Sequence, residues 1–449
     1  MNDRSRREFL KLMGVGALAV SCRGLTGCAG ERPRPNLVVV LADDHRHDMM
    51  GCAGHPWLKT PELDRLADDG VRFTDAFVTT SLCSPSRASF LTGAYAHMHG
   101  VVANATSDPD PGLPTYPELL HDAGYETAFV GKWHMARWST PRAGFDHWVS
   151  FNGQGDYERN TLNVNGSWEL SERYLTDELT DRALAFVDRP REKPFLLVLS
   201  HKAVHAPCRP ASRHASLYDG VAVEPAGLDD PRLERERARY MSEYARTLAA
   251  VDEGLGRLRN RLDELGITRD TAVVYAGDNG YFMGEHGGLW DKRAAYEESI
   301  RVPLLMSYPR AVPSGAINKA MVLNLDLAPT LLALAGIAPP PAMQGTSWLP
   351  QLDGAPGREE FLYEYFEERG DVPTTFAVRT RDWKLIVYPE NTGSTTEMYD
   401  LREDPGETMN LADDQDHADM RARLTAALAR LSEETGLSAS GLPNPGLQM

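Results

Sequence analysis

The chain has 449 residues, enough to bury a substantial core in one large domain with a smaller one beside it. Hydrophobic residues at 42% and charged residues at 25% are ordinary for a globular enzyme. Asp and Glu outnumber Lys and Arg by 64 to 47, and the resulting charge of −17 excludes a uniformly attractive field for DNA, RNA or an anionic polysaccharide. An anionic substrate would have to be captured by a local cluster of cations or by a metal. No internal repeat and no long low-complexity tract interrupts the sequence.

In chain order, the first element is an address. Ser5-Arg6-Arg7-Glu8-Phe9-Leu10-Lys11 sets paired arginines before a Gly/Ala-rich apolar stretch over residues 12–20. That is the layout of a twin-arginine export signal, and the apolar run is too short to span a bilayer. Leu25-Thr26-Gly27-Cys28 then resembles a bacterial lipobox, with Ala19-Val20-Ser21-Cys22 as a second candidate. The expectation is a signal over residues 1–28 and export to the periplasm or cell surface, with a lipid anchor at Cys28. Of the remaining cysteines, Cys52 and Cys208 could pair in that compartment, but nothing in their spacing demands it; two unpaired structural thiols are expected.

Residues 36–41 (Asn-Leu-Val-Val-Val-Leu) form an apolar, β-branched run that predicts a strand buried on both faces, ending in Asp43-Asp44. Similar runs recur at residues 127–130, 195–199, 271–276 and 302–306. Amphipathic stretches at residues 61–68, 117–122, 172–187 and 232–265 separate them and predict helices. The alternation predicts an α/β fold with a large, mostly parallel sheet flanked by helices. Polar motifs follow the strand ends: Asp43-Asp44, then Gly131-Lys132-Trp133-His134, then residues 201–207, then Gly277-Asp278-Asn279-Gly280. In open α/β sheets ligands bind at the carboxyl ends of strands, so four segments converge on one edge. Beyond a short apolar helix ending near Gly336 the texture changes. Residues 360–366 and 374–389 read as antiparallel strands and residues 418–431 as a helix, giving a catalytic domain over 29–354 and an α+β subdomain over 355–449.

Cys83-Ser84-Pro85-Ser86-Arg87 reads as a turn entering a helix, with Ser84 as a cap and Pro85 at the first helical position. A thiol at such a helix start is expected to have a lowered pKa and to sit in an anion-friendly place. Asp43, Asp44, Asp278 and Asn279 offer hard oxygen donors of the kind that hold Ca²⁺. Taken singly they could equally be helix caps and a turn; together with Cys83 they read as a metal site.

Cys83-x-Pro85-x-Arg87, continuing as Ala88-Ser89-Phe90-Leu91-Thr92-Gly93, resembles the signature of type I sulfatases of the alkaline phosphatase superfamily. The likeness extends over residues 36–411 and includes Tyr296-Glu297-Glu298-Ser299-Ile300-Arg301-Val302-Pro303 and Tyr399-Asp400-Leu401. The resemblance implies that Cys83 is oxidised to formylglycine by a separate maturase in the host. For a twin-arginine substrate this would precede export. It implies Ca²⁺ ligation by Asp43, Asp44, Asp278, Asn279 and an oxygen of residue 83. Arg87 would orient the formylglycine diol, Lys132 bridge it to sulfate, and His134 help expel sulfate. His205 and Lys292 would bind sulfate and protonate the leaving oxygen. One hydroxyl of the diol carries the sulfate and the other collapses to the aldehyde, so no water need attack sulfur.

Residues 81–104 and 141–166 look closest to sulfatases acting on N-acetylglucosamine 6-sulfate and related carbohydrates, which makes a sulfated carbohydrate the expected substrate. Trp148, Phe151, Asn152, Gln154, Tyr157, Asn163 and Asn165 form either a sugar-recognition surface or an ordinary packed loop. His201 is expected to be structural, and none of His45, His47, His97, His99 and His286 is assigned a role. Two rivals stand beside this reading: a phosphonate or phosphodiester hydrolase of the same superfamily, and a carbohydrate-binding relative without catalysis.

Overall fold

The Leu37-Val38-Val39-Val40-Leu41 run has no polar face, so it is stable only with apolar cover on both sides. The computed structural model, which describes residues 34–104, 107–224, 228, 230–367, 372–389 and 396–437, provides that cover. The expected export signal, Cys22 and Cys28 lie outside the described residues. Val38, Val40 and Ala42 belong to one hydrophobic cluster, and Leu37, Val39 and Leu41 to another. Burying each such aliphatic side chain contributes about 1.5–3 kcal/mol.

Ten strands form the main sheet: β1 (Asn36–Ala42), β2 (Val71–Phe73), β3 (Glu126–Lys132), β4 (His147–Phe151), β5 (Asn160–Val164), β6 (Ser167–Ser171), β7 (Phe195–Ser200), β8 (Thr271–Gly277), β9 (Leu304–Ser307) and β10 (Ala316–Asn318). Their order is β10-β2-β9-β8-β1-β7-β3-β4-β5-β6. The central five, β8-β1-β7-β3-β4, run parallel. The β9 strand pairs antiparallel with β8 and β2, and β5 and β6 continue antiparallel at the other edge. A mostly parallel α/β sheet is therefore what the sequence predicts and what forms.

Helices α1 (Pro61–Asp68), α4 (Leu175–Val187) and α5 (Pro231–Glu264) cover one face, and α2 (Cys83–Thr92), α3 (Tyr116–Asp122) and α7 (Leu327–Leu334) the other. The start of α5 is set by Pro231 at its first turn and by the Asp230 carboxylate, which accepts from the Arg232 amide. No helix among the described residues is long and apolar enough to cross a membrane. Cys52 and Cys208 are both free thiols.

The stretch over residues 145–166, expected as a loop, is partly sheet. It contains β4 and β5, and Trp148, Phe151, Tyr157 and Asn163 are buried. Its glycines and amides suggest a loop, but pairing with β3 supplies the strand partners that local pattern lacks.

A four-stranded antiparallel sheet follows: β11 (Glu360–Tyr365), β12 (Thr375–Thr380), β13 (Trp383–Val387) and β14 (Glu397–Asp400), with α8 (Ala418–Thr435) packed on it. Glu297, on the short helix α6 (Glu297–Ile300), joins it to the main fold. Its carboxylate accepts from Arg379 Nε at 3.3 Å and Nη2 at 3.2 Å and lies 2.9 Å from Lys384 Nζ. Glu407 closes the cluster, 2.7 Å from Lys384 Nζ and accepting from the Glu297 amide at 2.8 Å. All four side chains are buried. Glu297→Ala would strand Arg379 and half-strand Lys384, and breaking a buried pair from one side costs about 3–5 kcal/mol. The expected result is a large fall in the urea midpoint, with Glu297→Gln intermediate. An unchanged midpoint for Glu297→Ala would show that the cluster does not hold the C-terminal sheet.

Candidate active site

Four strands of the main sheet end at the same edge and deliver polar residues there. The β1 backbone continues past Ala42 into Asp43, whose amide donates to Ala203 O at 3.0 Å and whose carbonyl accepts from Val204 N at 2.7 Å. Asp44 then takes a left-handed φ of 58°, a conformation that costs a non-glycine residue of order 1 kcal/mol and is found at functional turns. It is held by its amide, which donates to Asp278 Oδ1 at 3.0 Å, and by Tyr244, whose hydroxyl donates to Asp44 O at 2.8 Å. Asp278 extends β8 beside it, its amide donating to Ala42 O. At the end of β3, Gly131 has φ 128° and an added Cβ would fall 1.8 Å from Ser200 O, so only glycine lets Lys132 reach this edge along that path.

Helix α2 enters the cluster at its first residue. Leu82, not Ser84, is the residue preceding the helix, and Cys83 itself is the first helical position. Ser84 is occupied elsewhere: its amide donates to Asn104 Oδ1 at 3.0 Å and its hydroxyl to the His134 carbonyl. Cys83 Sγ lies 3.2 Å from Asp43 Oδ1 and accepts from Lys292 Nζ at 2.9 Å. The expected lowering of the thiol pKa is reversed. Complete burial and the Asp43 charge push it up to about 12, against the opposing pull of Lys132 and Lys292. A helix start favours the thiolate, but burial outweighs it.

Arg87, one turn further along α2, shares the face of Cys83. Its Nε donates to Asp278 Oδ2 at 2.9 Å, and Nη1 donates to Lys132 O at 2.8 Å and Ser200 Oγ at 2.5 Å. Lys132 Nζ donates to Asp43 Oδ2 and to Gln154 Oε1, and Lys292 Nζ donates to Asp44 Oδ1. Burial works against the Lys292 charge, yet Asp44, Cys83, Asp43 and Asp278 together hold its pKa well above the ordinary lysine value. Burial likewise opposes ionisation of Asp43, but Lys132, His205, Arg87 and Lys292 keep it well below the usual carboxylate range. Asp278 goes the other way, up to about 7, because burial and Asp43 outweigh Arg87.

His205 leaves the end of β7 with Nδ1 2.6 Å from the Ala206 carbonyl and Nε2 3.8 Å from Asp44 Oδ2. Burial lowers its pKa to about 4 despite Asp44 and Asp43. His134, at φ 63°, is buried and its pKa is driven far down by burial and Lys132. Every residue singled out in the sequence, Asp43, Asp44, Cys83, Arg87, Lys132, His134, His205, Asp278, Asn279 and Lys292, is therefore at this edge. His201 is fully buried, and neither ring nitrogen has a partner among the described residues. His45 is tied to Tyr275 and Met49, His97 to Glu364, His99 to Ser89 and His286 to Glu298. His47 lines a separate cavity of about 310 Å³ with Arg46, Asp48 and Arg301.

Sequence reading assigned no role to Ser200 or Lys202 and left Gln154 and Tyr157 between a sugar-recognition surface and a packed loop. Gln154 holds Lys132 from a turn between Gly153 and Gly155, both at positive φ, and those glycines are its one local signal. Ser200 donates to Lys132 O while accepting from Arg87. Tyr157 donates to His205 O at 2.8 Å.

The donor set fits a hard dication. Ligand oxygens of Asp43, Asp44 and Asp278 lie within 4.8 Å of one another. Asp44 Oδ2 and the Asn279 amide oxygen are buried without a hydrogen-bond partner among the described residues, although buried oxygens are nearly always satisfied. Asn279 Nδ2 donates to Asp44 Oδ1 at 2.6 Å and to Gly280 O at 2.8 Å, which turns its oxygen into this gap. All-oxygen donors suit Ca²⁺ or Mg²⁺. Three carboxylates balance Arg87, Lys132 and Lys292, so a bound dication would leave the pocket positive and receptive to an anion.

Comparison with known proteins gives this arrangement a family. The sulfatase profile matches residues 35–337, and the profile for the C-terminal part of N-sulphoglucosamine sulphohydrolase matches residues 284–434. An N-acetylglucosamine-6-O-sulfatase of Bacteroides thetaiotaomicron is 32% identical over 93% of this chain and 90% of its own length. N-acetylglucosamine-6-sulfatase of Capra hircus is 33% identical over 78% of this chain and 70% of its own. A solved structure of a protein in complex with its substrate D-glucosamine-2-N,6-O-disulfate superposes with a TM-score of 0.85 at 31% identity, covering 92% of this chain and 99% of that one. The chain belongs to the sulfatase family.

Proposed function

We propose that this sulfatase releases sulfate from a 6-O-sulfated glucosamine-type carbohydrate, with Ca²⁺ held by Asp43, Asp44, Asp278 and Asn279 and with Cys83 converted to formylglycine, whose oxygen also ligates the ion. The observation that carries this reading is the meeting of Cys83 with the carboxylates and with Lys132, Lys292 and Arg87 at one sheet edge. The relatives' names support the sugar, since two of them act on N-acetylglucosamine sulfate esters.

Bound Ca²⁺ supplies charge stabilisation at the sulfuryl oxygens and lowers the pKa of a coordinated hydroxyl. Formylglycine supplies a hydrated aldehyde, hence a nucleophilic oxygen with a second hydroxyl for release of sulfate. Arg87, fixed by Asp278, Ser200 and Lys132 O, orients residue 83. Lys132 and Lys292 bind sulfate oxygens. Lys292, kept ionised by its carboxylate neighbours, can donate a proton to the leaving alcohol. The Ala206 contact places the His205 proton on Nδ1, so Nε2 is an acceptor until the negative charge of bound sulfate raises its proton affinity. His134 assists expulsion of sulfate from residue 83.

Residues 29–354 would then form the catalytic part and residues 355–449 an accessory one. The twin-arginine pattern and Cys28 support export with a lipid anchor, after a maturase has acted on the folded chain. The test is peptide mass spectrometry across Cys83 on protein from its native host, together with sulfate release from N-acetylglucosamine 6-sulfate. A thiol-to-aldehyde mass change with turnover is expected. An unmodified thiol in an active enzyme would overturn the formylglycine mechanism, and inertness on sulfated sugars with turnover of an aryl sulfate would overturn the substrate.

A further inference from the structure

Lys202 follows β7 by two residues and is only 4% exposed. Each other cation at this edge has a carboxylate in contact: Arg87 has Asp278, Lys132 has Asp43 and Lys292 has Asp44. Among the described residues Lys202 Nζ has no hydrogen bond and no ion pair. It lies over the ring of Tyr157, 4.8 Å from the ammonium to the centroid. That ring belongs to the site, because the Tyr157 hydroxyl donates to the His205 carbonyl. The backbone on the other side is fixed too, since Ala203 and Val204 are bridged to Asp43 by two hydrogen bonds. The ammonium therefore stands at the same strand end as the sulfate-binding cations and within electrostatic reach of Asp43, Lys132 and Asp44.

An ammonium largely withdrawn from water and paired with no carboxylate is costly, and a cation–π contact returns only about 0.5–2 kcal/mol. Retaining such a group beside a pocket for an anion is accounted for when the anion itself is its partner. We propose that Lys202 is a substrate-binding residue whose ammonium meets a sulfo oxygen of the bound ester, a fourth cation of the pocket beyond Arg87, Lys132 and Lys292. This rests on the sulfatase reading. The sulfo group is either the scissile one or a second one on the same sugar, and the two make different predictions.

The experiment compares wild type, Lys202→Met and Lys202→Arg, each loaded with Ca²⁺, on N-acetylglucosamine 6-sulfate and on glucosamine bearing 2-N and 6-O sulfo groups. Lys202→Met is expected to lower kcat/KM by about tenfold or more, chiefly through KM, with Lys202→Arg recovering most of the loss. An equal loss on both sugars assigns the contact to the scissile sulfate, and a loss confined to the doubly sulfated sugar assigns it to the second group. Calorimetric titration with inorganic sulfate gives a readout without turnover: for a scissile-sulfate contact, Lys202→Met binds it at least several-fold more weakly. Unchanged kinetics on both sugars with an active wild type would overturn the proposal. So would a fall in kcat alone that tracks a lowered Tm and that arginine does not rescue, which is the pattern of a structural lysine. If wild type turns over neither sugar, the substrate reading fails. Titrations with inorganic sulfate and with the doubly sulfated sugar then decide on Lys202 alone, with equal affinities for both in wild type and Lys202→Met counting against it.

Discussion

Cys83→Ala is expected to abolish sulfate release while leaving the fold intact. The side chain is fully buried and touches Asp43 and Lys292, so its loss removes the group on which the other site residues converge. Removing the nucleophile of a covalent mechanism costs about 10⁴–10⁶ in kcat. Stability should change little, because alanine is a better helix former than cysteine and the cavity left by one sulfur is small. The informative companion is Cys83→Ser. A hydroxyl at the same position retains an oxygen nucleophile but not the second hydroxyl of a hydrated aldehyde, so it could be sulfated without an easy route to release. A stoichiometric burst of alcohol without sustained sulfate release is expected if that serine is left unconverted. Steady turnover by an unconverted serine variant would show that a plain hydroxyl suffices and would remove formylglycine from the mechanism.

The pH dependence of this chemistry cannot be taken from the thiol. Cys83 looks activated in the sequence because a helix begins there, yet the structure buries it completely and raises its pKa. Burial is a property of the assembled sheet edge, where Asp43 arrives from one strand and Lys132 from another, and no local pattern carries it. The same limit explains Gln154 and Lys202. Each gains its meaning from a partner across space, Lys132 for one and the Tyr157 ring for the other. Glu297 was visible only as part of a family motif. Its work as the anchor for Arg379 and Lys384 depends on a sheet that begins 63 residues later, at Glu360. What could be read directly was chemistry placed by strong local signals. The β-branched run of β1 announces a buried strand and the Asp43-Asp44 pair marks its end. Three further runs ending in Lys132, residues 201–207 and Asp278-Asn279 fix the site by a general rule of parallel sheets.

Removing the metal should be nearly as damaging as removing the nucleophile. Asp43, Asp44 and Asp278 bring their oxygens within 4.8 Å. At an effective dielectric constant of about 20, two ionised carboxylates at that distance repel by about 3 kcal/mol. Arg87, Lys132 and Lys292 offset that repulsion, but they leave Asp44 Oδ2 and the Asn279 amide oxygen with no donor. A cation bound there would satisfy both. Chelation followed by gel filtration is expected to reduce turnover by about 10³ or more, as befits the loss of the group that stabilises charge in the transition state. Ca²⁺ should restore it. Ligand binding at 100 times its Kd adds about 2.7 kcal/mol to stability, so Ca²⁺ should also raise the Tm of the chelated protein by a few degrees. Asp44→Asn is the decisive variant, because it keeps the size of the side chain and an oxygen in place while removing one ligand charge. It should lose both the Ca²⁺-dependent rise in Tm and nearly all activity, whereas Gln154→Ala, which disturbs Lys132 but no metal donor, should keep the rise in Tm. An Asp44→Asn protein that still gained stability from Ca²⁺ would place the ion elsewhere, and a wild type indifferent to chelation would leave the cationic side chains of the site to act on the sulfate without a metal.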